Sequence, residues 1–378
     1  MRLQLIRCGK LFDGVREELL PNQEILVGDN RILEVGPQVT HPEDASLLDL
    51  SDLTVTPGMI DAHVHPDAFN NDDMFWETIF ASEEWRVLGS LHTAQKALHR
   101  GFTTLRVVGT ITSNSYGIAD VRRAIEAGHF DGSRLVIAFR SLGTTGSHGD
   151  LSQRLSRAPL LAEYYESCDT GLGNGADEFT RMVRKEVKYG ADFIKIMATG
   201  GFASPNDSPL EQHCTDAEFR AIIETAHNLG RPVTAHAYSA DLIEKLVNMG
   251  IDGIEHGSLM HEKTAELMEQ KDVYLVPTFS PYDEVVNFDE ENLNKKKPEF
   301  RRKLLQYREA LVQGRQVILK SNLRLGYGTD FVAVHQPYEN GYEYSALLRS
   351  GMDPFRALRA ATSVNAHILG IDDIGVIA

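Results

Sequence analysis

The chain is poor in cysteine and has no long apolar run. Its three cysteines, Cys8, Cys168 and Cys214, are widely spaced and include no Cys-x-x-Cys pair. A scattered, odd set of thiols excludes a disulfide framework and favours a reducing compartment, so we expect a cytoplasmic protein. No stretch of about 18 apolar residues occurs, so no membrane span is expected. The apolar run near the N-terminus is also too short for a signal peptide.

Positive charge is scarce as well. The 378 residues include 38 Lys and Arg against 54 Asp and Glu, which gives a formal net charge of −16. A nucleic-acid-binding protein needs a basic surface to displace counterions from phosphates, so this balance argues against a nucleic-acid partner. We expect a small-molecule substrate instead, and leave a homo-oligomer open. With 42% hydrophobic residues, the chain can bury a large core, as one barrel or as two domains.

Short β-rich runs alternate with amphipathic helical patterns along most of the chain. The β-rich runs are residues 59–65, 103–108, 134–139, 192–197, 232–237, 253–257, 273–279 and 323–329. The helical stretches end in glycine, and Thr215 followed by Glu218 predicts a capping box at the start of one. Eight such units with apolar strands predict an α/β fold with parallel strands inside a ring of helices. A (β/α)8 TIM barrel is the simplest closure.

The first 55 residues do not follow this rhythm. Two β-patterned stretches, 2–12 and 24–36, and a Gly-Asp-Asn turn at 28–30 predict antiparallel strands and a hairpin. The predicted units are a small β-sandwich-like subdomain at 1–55, the barrel at 56–370, and the start of a return to the subdomain at 371–378. We expect this subdomain to be incomplete at its C-terminal side.

Candidate metal ligands fall at the ends of the predicted strands. His63 and His65 lie two apart in TPGMIDAHVHPD, and positions i and i+2 of a strand point to the same face. Four further candidates end later strands, namely Lys195, His236, His256 and Asp330. In a parallel barrel these strand ends meet at one mouth. Imidazole and carboxylate groups gathered there favour a metal site.

Each of these residues also has an ordinary explanation. His236 and His256 could be hydrogen-bonded core histidines, and Asp330 could cap the helix that follows. Lys195 could cap a helix or form an ion pair. However, a lysine inside the apolar run FIKIM is costly to bury unless its charge is removed or paired. Six separate coincidences, all at strand ends, explain the pattern less well than one shared site.

The motifs resemble those of the amidohydrolase superfamily, in particular its imidazolonepropionase-related and prolidase-like metal-dependent hydrolases, which include Xaa-Pro dipeptidases and aminoacylase- or carboxypeptidase-type enzymes. The segments that carry the resemblance are PG-x-ID-x-H-x-H at 57–65, IK-x-M-x-TGG at 194–201, HAY at 236–238, IEHG at 254–257 and GTD at 328–330. The resemblance implies two divalent ions, with His63, His65 and Asp330 on one, His236 and His256 on the other, and Lys195 between them as a carbamate formed from CO2. Zinc is the favoured metal, with manganese, iron and cobalt as alternatives.

The same resemblance implies hydrolysis of an amide bond. Water between two divalent ions loses its proton near neutral pH and would attack as a bridging hydroxide, with Asp330 passing the proton to the leaving amine. The expected substrate is a dipeptide or an N-acyl amino acid. A lactonase or organophosphate hydrolase stays open. A mononuclear deaminase or cyclic-amidine hydrolase typically lacks the lysine, and a non-catalytic scaffold would have lost ligands.

Substrate contacts are expected from His148 and Tyr238. By resemblance, His148 would reach the substrate carbonyl or carboxylate, and Tyr238 would offer a phenolic donor. The alternatives are a loop histidine and a packing residue at the barrel rim. Arg106 and Arg140 could pair with a carboxylate or be structural. The basic run at 295–297 is interpreted as a solvated surface.

Overall fold

The structure is a computed structural model that describes residues 3–68, 80–111, 115–155, 158–168, 170–330 and 339–378. Its strands are β1 (Leu3–Leu11), β2 (Leu20–Gly28), β3 (Arg31–Gly36), β4 (Ser46–Val55), β5 (Met59–Val64), β6 (Phe102–Val108), β7 (Arg134–Ala138), β8 (Ser141–Leu142), β9 (Ile194–Met197), β10 (Val233–Ser239), β11 (Gly253–Leu259) and β12 (Tyr274–Val276).

Helices follow most of the strands from β5 onward. They are α1 (Glu83–His99), α2 (Ile118–Glu126), α3 (Pro159–Ser167), α4 (Ala176–Lys188), α5 (Asp216–Asn228), α6 (Ala240–Asn248), α7 (Glu262–Gln270), α8 (Asp283–Val286), α9 (Glu290–Leu293), α10 (Pro298–Gln306), α11 (Arg308–Lys320), α12 (Gly341–Arg349), α13 (Pro354–Arg359) and α14 (Asn365–Ile368). Two 3-10 turns, Leu151–Leu155 and Ser280–Tyr282, and a π-helical turn, Ala360–Val364, complete the set. None of the described helices combines the length and hydrophobicity that a membrane span requires.

The N-terminal strands form a sheet of their own, in the order β3-β2-β1-β4. The predicted hairpin is confirmed, since β2 and β3 pair antiparallel with Gly28 opposite Arg31. Asp29 in this turn has φ 50°, a left-handed conformation that aspartate tolerates in tight turns. Near the other end of the chain, Ile377 donates its backbone N–H to the carbonyl of Asp13 at 2.9 Å and packs into the core of this sheet.

The remaining strands pair in parallel, which confirms the α/β class. One sheet has the order β5-β6-β7 and the other the order β12-β11-β10-β9-β8. Helices pack on these strands through apolar stripes. In α4 the buried positions are Phe179, Met182, Val183 and Glu186, the i, i+3, i+4, i+7 spacing of an amphipathic helix. The capping box at the start of α5 is also confirmed, with Thr215 and Glu218 bonded reciprocally.

The predicted eighth strand, 323–329, is not a regular strand. It makes one bridge, between Leu325 and Leu275 of β12. The reason lies in side chains that take the place of a strand partner. Asn365 bonds both the N–H and the carbonyl of Tyr327, and Asp61 accepts from the N–H of Thr329. The backbone of these residues is therefore satisfied without a continuous ladder.

This segment still contacts strands on both sides. The Gly326 N–H donates to the Leu275 carbonyl at 2.8 Å, and the Ala62 N–H of β5 donates to the Tyr327 carbonyl at 2.8 Å. A Cβ at Gly328 would lie 2.6 Å from the Cβ of His63, so only glycine fits there. The segment is thereby held directly against the strand that carries the first histidine pair.

Candidate active site

The first histidine pair and Asp330 form one cluster. The His63 Nε2 lies 3.4 Å from Asp330 Oδ1, and the His65 Nε2 lies 3.5 Å from the same oxygen. Their potential ligand atoms all fall within 4.8 Å of one another. Asp330 reaches this position because its N–H donates to the His63 carbonyl at 2.9 Å. Burial raises the pKa of the Asp330 carboxyl, but His63, His65 and His256 together outweigh burial and hold it well below its usual value.

A buried carboxylate orients His63. The His63 Nδ1 lies 2.7 Å from Glu255 Oε2, and Glu255 Oε1 accepts from Arg106 Nη1 at 2.8 Å and from Thr234 Oγ1 at 2.6 Å. Arg106 also donates to the hydroxyl of Tyr274 at 2.7 Å. Of the two roles considered for Arg106, the structural one therefore applies, because its guanidinium is engaged by the protein. A carboxylate on Nδ1 leaves Nε2 as the ligand atom of His63.

The second pair of histidines lies beside the first. The ring centroids of His236 and His256 are 4.6 Å apart, and those of His63 and His256 are 5.0 Å apart. The His256 Nδ1 bonds Thr278 Oγ1 at 2.7 Å, while the His236 Nε2 lies 3.4 Å from the Gly200 carbonyl. Burial, with smaller contributions from the neighbouring histidines and Lys195, lowers the pKa of both imidazoles well below the usual value, although the nearby Asp330 acts in the opposite direction. Both are therefore neutral and can donate a lone pair.

The backbone at this cluster is unusual. His256 has φ 70°, Thr278 φ 45° and Asp330 φ 49°, although residues with a Cβ rarely adopt a left-handed conformation and β-branched ones least of all. Strain of this kind persists only where surrounding contacts over-determine it and is concentrated at functional sites. Two of these residues, His256 and Asp330, line the same cavity, and the third, Thr278, bonds His256 through its hydroxyl.

Lys195 lies in β9, lines a cavity together with these histidines, and is 1% exposed. Burial lowers the pKa of its amine to about 8. Its Nζ makes no hydrogen bond or ion pair with any residue that the structure describes. Neither a helix cap nor an ion pair accounts for this lysine. A buried amine that loses its proton readily is the form that reacts with CO2.

All six predicted ligands line one cavity of about 200 Å³. His148 and Tyr238 line it too, so the structure brings both predicted substrate contacts to the same place. The ring of His148 stacks on His236 with centroids 4.6 Å apart, and the ring of Tyr238 stacks on His256 at 5.1 Å. The hydroxyl of Tyr238 bonds that of Tyr282. Tyr238 therefore packs at the rim and also presents a polar group.

The donor set fits divalent metal ions. Each of the four imidazoles has one nitrogen engaged by the protein, including the His65 Nδ1 at 2.6 Å from the Gly109 carbonyl. The other nitrogen of each ring is left for a metal. Imidazole nitrogens together with an ionised carboxylate suit zinc and similar ions. The residues present could thus hold the ions that the sequence predicts.

Several functional residues were missed by sequence reasoning. Glu255 carried a usable signal, since a carboxylate inside the apolar strand IEHG needs a buried partner just as Lys195 does. Tyr282 lies in the 3-10 turn that follows the seventh predicted strand. Arg154, which also lines the cavity, gave no comparable signal. Of the basic run, Lys296 is not solvated, because its side chain is 3% exposed and its Nζ lies 3.1 Å from Glu284 Oε2.

Residues 54–378 match the family model described as "Amidohydrolase family". The chain belongs to the amidohydrolase family. Among curated relatives, it is 27% identical to an ochratoxinase of Aspergillus niger, with 96% of this chain and 75% of the relative covered. Among solved structures, it matches one described as an amidohydrolase with a TM-score of 0.86, 31% identity, and coverage of 99% of this chain and 89% of that one. A Xaa-Pro dipeptidase with bound methionine in its active site matches with a TM-score of 0.84, 27% identity, and coverage of 100% and 91%.

This membership confirms the resemblance to the superfamily and to its prolidase-like branch. As an amidohydrolase, the chain is an enzyme, a hydrolase that acts on carbon–nitrogen bonds. The site residues assigned by resemblance meet in one cavity of this fold. Their individual roles remain predictions.

Proposed function

We propose that this amidohydrolase is a binuclear metal-dependent enzyme that cleaves the amide bond of a dipeptide or an N-acyl amino acid. The observation that carries the proposal is the convergence of two ligand clusters on one cavity, with a buried lysine of low pKa beside them. Neutral imidazoles alone leave two divalent ions poorly balanced in charge, whereas carbamylated Lys195 adds an anion.

Two such ions would lower the pKa of a water and polarise the scissile carbonyl, and zinc suits an imidazole-rich site best. The chain's own residues would do the rest. Asp330 turns Oδ1 toward the first histidine pair and places Oδ2 3.9 Å from His256 Nδ1. Oδ2 can hold the proton of the attacking water and return it to the leaving nitrogen.

The pocket around these groups supports a substrate that is partly apolar and carries a carboxylate. Phe202, Tyr165 and Phe300 supply apolar walls, and Arg140 and Arg154 are basic residues that line the same cavity. The relatives fit this class, since a Xaa-Pro dipeptidase cleaves a dipeptide and an ochratoxinase is named for its substrate.

Strand pairing supports a closed barrel behind this site. Because the segment 323–330 bonds both β12 and β5, we infer that the parallel strands form the (β/α)8 barrel that the sequence predicts. The ligands would then surround the mouth at the C-terminal ends of the strands.

The test is a substrate panel on enzyme stripped of metal and on enzyme reconstituted with zinc and bicarbonate. We expect reconstituted enzyme to hydrolyse N-acyl amino acids or Xaa-Pro dipeptides, and stripped enzyme to be inactive. Hydrolysis of lactones alone would contradict the amide proposal. Equal activity with and without metal would contradict metal dependence.

A further inference from the structure

A buried polar chain runs from His148, at the cavity, to helix α10. The His148 Nδ1 lies 2.8 Å from Ser204 Oγ, and the Ser204 hydroxyl donates to Asp207 Oδ1. The same carboxylate oxygen accepts from Lys303 Nζ at 2.8 Å. Lys303 belongs to α10 and is 3% exposed, and Asp207 is 7% exposed. A charge pair this deeply buried is costly unless the geometry around it is well satisfied.

Lys303 is fully used in this arrangement. Besides Asp207, its Nζ donates to the carbonyls of Gly201 and Ser204, each at 2.7 Å. The three donors of the ammonium thus fix three points of one turn, residues 201–207. That turn lines the substrate cavity through Phe202, Ala203 and Ser204.

The direction of the hydrogen bonds fixes the proton on His148. A serine hydroxyl has one proton, and Ser204 gives it to the Asp207 carboxylate. Ser204 Oγ can then only accept from His148, so Nδ1 must carry the hydrogen. The other ring nitrogen, Nε2, is left for a ligand.

The His148 ring is also confined on its faces and edge. One face stacks on His236 with an interplanar angle of 18°. A Cβ at Gly201 would lie 2.2 Å from the ring Nδ1, so the backbone at this position reaches the ring edge only because the residue is glycine. The ring therefore has one orientation, and the polar chain selects its tautomer.

We propose that Lys303 is a positioning residue, which acts through Asp207 and Ser204 to hold His148 with Nδ1 protonated and Nε2 directed at the substrate. The proposal rests on the proposed function only in that His148 contacts the substrate. Lys303 in α10 would thereby affect substrate recognition by His148, which lies 155 residues earlier in the sequence.

The first test is a double-mutant cycle between Lys303→Met and His148→Ala, read as kcat and KM separately. We expect Lys303→Met to lower kcat/KM by about 10–100-fold, mainly through KM, as for the loss of an orienting partner. In the His148→Ala background the same change should have no further effect. Equal effects in both backgrounds would overturn the proposal, because Lys303 would then act on the fold and not through His148.

Two further variants control for misfolding and for a nonspecific effect of losing a lysine. Ser204→Ala breaks the chain but keeps the Lys303–Asp207 pair, so it provides the same cycle if Lys303→Met does not fold. Lys295 is an exposed lysine that lies shortly before α10 in the chain and pairs with Glu291. The variant Lys295→Met should leave kcat/KM and KM unchanged. A comparable loss in Lys295→Met would contradict a specific role for Lys303.

The second test does not need a substrate. Nitrogen-15 NMR of histidine-labelled enzyme reports which ring nitrogen carries the proton. We expect the His148 signals to show protonated Nδ1 in the wild type and a mixture of tautomers in Ser204→Ala, while Ser204→Thr, which keeps the hydroxyl, retains the wild-type pattern. An unchanged tautomer in Ser204→Ala would overturn the proposal. Should the tautomer shift while His148→Ala kinetics stay at wild type, the substrate role of His148 would fail instead.

Discussion

The two halves of the site are held in different ways. His63 and His65 are fixed by short polar contacts, at 2.7 Å to Glu255 and 2.6 Å to the Gly109 carbonyl. His236 and His256 carry aromatic rings on their faces, with His148 stacked on one and Tyr238 on the other, and only His256 has a short polar contact, at 2.7 Å to Thr278 Oγ1. His236 has only a long contact of 3.4 Å to Gly200.

This difference predicts that the two halves of the site have different roles. A histidine whose second nitrogen bonds a carboxylate is a more basic and better oriented ligand than one that is only packed. We therefore expect the half with His63 to contribute more to metal affinity. The half with His236 shares its packing residues with the substrate cavity, so we expect it to contribute more to substrate binding. Asp330 and Lys195 lie where the two halves meet.

Removing the shared carboxylate should have the largest effect. We expect Asp330→Asn to lower kcat by more than the roughly 10²–10⁴-fold of general acid–base catalysis alone, because a metal ligand and a proton carrier are lost together. Steady-state kinetics with metal analysis of the same sample would measure this. A kcat within tenfold of wild type would show that Asp330 does not join the two halves.

Removing the shared lysine should separate the halves. We expect Lys195→Ala to retain one divalent ion or none per chain, because the anionic bridge is lost. Short carboxylic acids should restore part of the activity by filling the space. Lys295→Ala, at an exposed position, is the control and should keep the wild-type metal content. Full metal content in Lys195→Ala would mean that the halves bind metal independently.

Weakening the support of His63 should affect one half only. We expect Glu255→Gln to lower the affinity for one metal ion by about 10–100-fold, measured by chelator competition. Glu343→Gln is a matched control, because Glu343 is also fully buried but bonds the N–H groups of Phe279 and Ser280. Equal losses in both variants would point to general destabilisation.

The smallest change tests the other half. Tyr238→Phe removes one hydroxyl and keeps the ring that stacks on His256. We expect kcat/KM to fall by an amount equivalent to about 1–3 kcal/mol, the range for leaving a buried polar partner unpaired. Metal content should not change. Wild-type kinetics in this variant would reduce Tyr238 to a packing residue.

The comparison also explains what sequence could predict. The meeting of the candidate ligands in one cavity was predictable because parallel strands end at one edge, so residues as distant as His63 and Asp330 could be placed together from their strands alone. The hairpin at Asp29 and the capping box at Thr215 were predictable because each depends on a few neighbouring residues.

The remaining features depend on contacts that leave no local pattern. The pattern of residues 323–329 predicts a strand, but side chains of Asp61 and Asn365 take some of the backbone hydrogen bonds that a neighbouring strand would make. The seventh strand stops at Val276, where Pro277 lacks an N–H for the ladder. In the sequence, Lys303 is indistinguishable from an ordinary polar residue of a helix. Its contact with Asp207 is visible only in the folded chain.

The most direct test of the two-part site is anomalous X-ray scattering from crystals of the zinc- and bicarbonate-reconstituted enzyme. We predict two zinc peaks, one among His63, His65 and Asp330 and one beside His236 and His256, with electron density for a carbamate on Lys195 between them. A single peak, or two peaks with a bare lysine amine between them, would contradict the account.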